Sequence, residues 1–93
     1  MSNVKTLVTQ AIDDERDAKR YTTPFRTTIE RVREGDLVAY IGKNPDRTPT
    51  VEFLMEVDEV AHDDLTGAFT LLFTGGHFRE ALAGVPMMVA RRK

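Results

Sequence analysis

The chain has 93 residues, a formal charge of −2, 41% hydrophobic and 30% charged residues, a balance expected of one folded domain rather than of a disordered segment. It has no cysteine, which excludes disulfides, thiolate metal sites and cysteine nucleophiles and fits a reducing cytoplasm. No run approaches the roughly 18 apolar residues that span a bilayer, and the first residues lack an apolar signal core, so the expected location is cytoplasmic, with no membrane partner.

Residues 1 to 21 hold the strongest helix signal. Val4, Leu7, Val8, Ala11 and Ile12 fall on one stripe of a 3.6-residue period, with Ser2 or Asn3 placed to cap it. Thr22, Thr23 and Pro24 then break the helix. The stripe serves either to pack on the body of the domain or to pair with another chain.

From Phe25 the pattern becomes that of strands. Residues 25 to 32 are rich in β-branched residues, Arg33-Glu34-Gly35-Asp36 reads as a turn, and Leu37-Val38-Ala39-Tyr40-Ile41 is apolar on both faces. A polar loop with two prolines follows, from Gly42 to Pro49. Val51, Phe53, Met55 and Val57 alternate, as do Phe69, Leu71 and Phe73, across the breaker run Asp63-Asp64-Leu65-Thr66-Gly67, which is a β-hairpin pattern. Gly75-Gly76 stops the second strand, residues 77 to 83 read as one or two helical turns, and residues 85 to 92 form a last strand in which Pro86 belongs at an edge or start. The expected core is Ile29, Leu37, Ala39, Ile41, Val51, Phe53, Met55, Val57, Phe69, Leu71, Phe73, Met87 and Val89.

This order, with Val32-Arg33-Glu34-Gly35-Asp36-Leu37-Val38 leading into the second strand, resembles the SH3-like small barrel. Over residues 25–92 the resemblance implies a five-stranded, mainly antiparallel barrel, and with the N-terminal amphipathic helix (1–21) the expected fold is α+β, one domain over residues 1–93. The length, the preference for arginine over lysine (nine against four) and the helix-plus-strand plan also look like the small accessory proteins of actinobacterial phages. That likeness implies a protein-directed role, such as binding and redirecting a host protein.

Charge is unevenly placed. Residues 49 to 80 carry seven acids against Arg79 alone, whereas residues 81 to 93 carry only Arg91, Arg92 and Lys93. His62 and His77 are the only neutral-pH acid–base candidates, Ser2 is the only serine, and Asp58, Asp63 and Asp64 lack the spacing of a calcium loop. Catalytic residues, cofactors and metals are therefore not expected. The reading is a non-enzymatic protein-interaction module, dimeric, whose surface combines Val4, Leu7, Val8 and Ile12 with Glu52, Glu56 and Asp58 and with Leu54 and Leu72, two leucines on the otherwise polar side of the hairpin. One alternative is a nucleic-acid-binding small barrel contacting phosphates through Arg31, Arg33, Arg91, Arg92 and Lys93; another is a structural virion or assembly component.

Overall fold

A computed structural model describes residues 4–93; the proposed caps Ser2 and Asn3 lie outside them. Among the described residues there are one α-helix, α1 (Val4–Glu15), and six strands: β1 (Phe25–Thr28), β2 (Leu37–Lys43), β3 (Pro49–His62), β4 (Ala68–Phe73), β5 (Phe78–Leu82) and β6 (Pro86–Ala90). All pairings are antiparallel, in the order β1-β6-β2-β3-β4-β5.

The α+β class is as expected, but the five-stranded closed barrel is not. The sheet is open and has six strands, with β1 and β5 as its edges. The added strand is β5, where a helical turn was expected. Gly75 and Gly76 have φ of 101° and 91°, a region open to glycine and strained for other residues, and they turn the chain back so that β5 pairs with β4 from Leu72–Phe78 to Ala68–Leu82. Pairing with β4 satisfies one side of the backbone of all five residues, whereas a helix this short gains little for its nucleation cost.

The helix is also shorter than expected. It ends at Glu15, and a 3-10 turn, Ala18–Arg20, follows, with the Asp17 carboxylate accepting from the Lys19 N–H. Tyr21 then bridges to Arg92 and the Thr22 N–H donates to the Arg91 carbonyl, so the chain enters β1 already paired with the C-terminal segment.

Two irregularities in β3 organise the packing. Tyr40 lies opposite Phe53 but Ile41 lies opposite Val51, so Glu52 is an extra residue; Val57 lies opposite Phe73 but Glu59 opposite Leu72, so Asp58 is another. Each bulge switches which face the next side chains meet. Val51 and Leu54 consequently join α1 on one face, in a cluster built on Val8, Ile12, Tyr21, Leu37, Ala39, Met88 and Ala90. Phe53 turns to the other face beside Tyr40, ring centroids 4.9 Å apart, where Ile29, Val32, Val38, Val57, Leu71, Phe73, Met87 and Val89 form the second cluster.

Most of the expected core is thus buried or partly buried, with two corrections. Phe53 is 46% exposed and Ile41 is exposed as well, because the first bulge and the end of the β2–β6 ladder remove their neighbours. Val8 and Ile12 are buried to the last percent, which makes α1 a core element. Ile12→Ala is therefore expected to lower unfolding free energy by about 2 to 5 kcal/mol, against less than about 0.5 for Leu65→Ala at an exposed hairpin tip, as read from urea unfolding with circular dichroism; equal effects of the two substitutions would contradict the packing of α1.

Candidate interaction surface

The helix covers only part of its face of the sheet. It packs on β6, β2 and the first half of β3, and beyond the Asp58 bulge the same face continues without it. There Leu72 lies opposite Phe78, Thr70 opposite Glu80 and Ala68 opposite Leu82, with Glu59 beside Leu72 and Ala61 beside Thr70 on β3. Directly opposed residues share a face, so these side chains form one patch. Phe78 is 68% exposed and Leu82 59%, with Leu72 also exposed. Acids surround the patch: Glu59, Glu80, Asp58, Asp63 and Asp64 are all exposed. Arg79, the one base of this region, points to the opposite face, since its partner Leu71 belongs to the second core cluster.

The residues proposed from sequence fall into different places. Leu72 and Asp58 belong to or border the patch. Val8 and Ile12 are buried within the chain, Val4 and Leu54 pack partly buried against the same cluster, and Leu7 is half-buried, so the stripe is covered by the protein's own sheet. Glu56 forms an ion pair with Arg92, and the Glu52 side chain lies against Gly42 of β2. Phe78 and Leu82 were missed, because residues 77 to 83 were read as a helical turn; the alternation of Phe78, Glu80 and Leu82 with Arg79 and Ala81 was the available signal.

The basic residues do not form one stripe. Arg91 and Arg92 point to opposite faces. Arg91 stacks over the Phe25 ring, 5.1 Å from its centroid, and its guanidinium donates from Nε to Asp36 Oδ1 (3.0 Å) and from Nη2 to Asp36 Oδ2 (3.1 Å) and to the Arg31 carbonyl (3.2 Å). Asp36 is 1% exposed and also accepts from the Arg33 N–H, so Arg91 is committed to a pair that engages only the backbone of Arg31 and Arg33, both exposed residues, and its hydrogen bonds to Asp36 hold the Arg91 pKa above its ordinary value. Arg92 and Lys93 instead line a recess with Arg16, Arg20, Tyr21 and Asp17, and Asp17 lies 4.0 Å from Arg20.

At the hairpin tip, His62 stacks on Phe69 (centroids 4.3 Å apart) with its Nδ1 3.3 Å from Asp64. Asp63 accepts from the Leu65 N–H, a bond that holds its carboxyl below the usual range. Among the described residues no group of three acids or histidines could hold a metal, and no helix is long and apolar enough to cross a membrane. Comparison of the chain with protein-family models, curated proteins and solved structures finds no match.

Removing one partner of a buried pair costs about 3 to 5 kcal/mol; with the Arg91 side chain 29% exposed, Asp36→Ala is expected to cost about 2 to 3, and Asp36→Ala combined with Arg91→Met to cost less than the sum of the two single changes. Additive losses in urea unfolding would show that the two side chains are not coupled. Acid should also destabilise the protein. The carboxyls of Glu30, held by the Gly84 N–H, Asp46, held by Thr48, and Asp63 are all lowered, so their stabilisation is full above the unfolded carboxylate range near about 4 and is lost as pH falls through their folded values. The urea midpoint should drop between pH 6 and pH 3, by less in Glu30→Gln; an unchanged drop in that variant would remove Glu30 from the account.

Proposed function

We propose that this chain is a non-enzymatic protein-interaction module, of the kind that binds and redirects a host protein, and that it docks its partner through the uncovered half of the helix-bearing face. The carrying observation is the cross-strand pairs Leu72–Phe78 and Ala68–Leu82, with Leu72, Phe78 and Leu82 exposed among acids. Contiguous exposed apolar residues with a polar rim mark docking surfaces more often than single exposed leucines do. Apolar burial supplies most of the affinity here, and the one-signed rim sets association rate and partner choice.

The rim also selects the partner. A second copy set face to face would bring Glu59 and Glu80 towards like charges, and a phosphate backbone would be repelled in the same way. The fitting occupant is a different protein with an apolar knob among lysines or arginines. The edge of β5 beside the patch adds backbone donors and acceptors that an extended segment of that partner can use.

Capture from the source organism's lysate, followed by titration of the purified partner, tests this. Phe78→Ser should weaken binding at least about tenfold, Glu80→Lys should slow association and reduce its salt dependence, and perturbed amides should cluster on β4 and β5. Equal affinity of wild type and Phe78→Ser would overturn the assignment. A dimer dispersed by Phe78→Ser would give the face to a second copy, and submicromolar duplex DNA binding at physiological salt, lost in Lys93→Ala with Arg16→Ala, would favour nucleic acid instead.

A further inference from the structure

The β2–β6 ladder pairs Leu37 with Ala90, Val38 with Val89 and Ala39 with Met88, and then ends, although β2 remains paired with β3 as far as Lys43. Pro86, at the start of β6, has no N–H with which to continue the ladder. The strands part, leaving a cleft of about 250 Å³ between them. Its walls include Ile41, Met87 and Met88, and it is also lined by Tyr40, Arg26 and Arg79. Arg26 reaches it from the helix-bearing face, where its cross-strand neighbour Met88 packs, and Arg79 from the opposite face.

We propose that this cleft binds a small organic anion, its apolar body held between β2 and β6 and its carboxylate or phosphate group met by Arg79 with the Tyr40 hydroxyl as a further donor, Arg26 adding positive charge from the other face. Both arginines are exposed, and neither makes an ion pair or a side-chain hydrogen bond among the described residues, in a chain whose acids outnumber its bases. Arginines left without a carboxylate at an apolar cleft are poised for an external one, because a guanidinium offers paired donors that match carboxylate and phosphate oxygens. Tyr40 is held by the Phe53 and Phe73 rings, centroids 4.9 and 6.1 Å away. Burial raises its pKa while the Arg79 charge pulls the other way, so the phenol stays protonated at neutral pH and can donate. The cleft lies near the lower end of the size of ordinary ligand pockets, about 300 Å³, room for one ring or a short alkyl chain.

The test is a titration of the full chain, labelled with nitrogen-15, with 3-phenylpropionate, phenyl phosphate and the neutral 3-phenylpropionamide. Saturable amide shifts around Ala39, Tyr40, Arg79 and Met87 are expected, with dissociation constants near about 1 mM for an unoptimised ligand of this size. The amide should bind about tenfold more weakly, as should either anion to Arg79→Gln, with a smaller loss in Arg26→Gln, while Arg47→Gln in the β2–β3 loop should bind like wild type. The better of the two anions identifies the head group. Shifts that do not saturate by 10-fold above that concentration, equal binding of the amide, or full binding by both cleft variants with unchanged urea midpoints would each overturn the proposal.

Discussion

The buried pair of Asp36 with Arg91 is the constraint on which the remaining architecture depends. Asp36 immediately precedes β2 and Arg91 follows β6, 55 residues apart in sequence. The Asp36 carbonyl accepts from Val57, its N–H donates to Arg33, and the Gly35 N–H donates to Val57, so β2, β3 and the turn before β2 meet at this residue. On the other side the Arg91 N–H donates to Thr22 Oγ1 and its side chain rests on Phe25, which brings in the segment leading to β1. A carboxylate this deep is tolerated only when its oxygens are fully engaged. Any arrangement that shifts β6 by one residue would leave Asp36 charged, buried and unmatched, and would also turn Val89 out of the core. The pair therefore does more to exclude wrong registers than to add stability.

The two bulges of β3 let a single 14-residue strand serve both layers of packing. Before Glu52 and after Asp58 the alternation of side chains is reset, so Val51 and Leu54 sit beneath α1 while Met55, Val57 and Val60 join the opposite cluster. Without the second bulge, Val60 would emerge beside Leu72 and Glu59 would point into the core. A residue pattern that looks irregular for one face is regular once the bulges are counted.

Much of the fold was legible because it rests on local signals. The helix stripe, the hairpin from Val51 to Phe73 and the Gly35-Asp36 turn are each written in a few adjacent residues, and all are present. Features that depend on distant partners were not legible. Asp36 read as a turn residue and Arg91 as a phosphate contact, because nothing near either names the other. The bulges misassigned Phe53 and Val51, since strict alternation is the only rule available without a partner strand. β5 was lost to a helical reading because an alternation over only five residues, between Gly76 and Gly84, is a weak signal, and with it went Phe78 and Leu82. The docking role of the Ile12 stripe and the packing role were both open in the sequence; burial of Val8 and Ile12 places the stripe in the core.

That burial has a geometric consequence for the rest of the face. A helix with its side chains is about 10 Å wide, whereas six strands at about 4.8 Å spacing extend over more than twice that width. One helix can cover two or three strands, and α1 covers β6, β2 and the near half of β3. The remaining strands of an antiparallel sheet can face water if their outer residues are polar, and Thr70 and Glu80 obey that rule. Phe78, Leu82 and Leu72 do not. They lie beyond the reach of α1, two of them on an edge strand whose Arg79 and Glu80 discourage unspecific pairing. Apolar groups there cost solubility and contribute little to this chain's own core, which is the physical ground for proposing that a partner covers them.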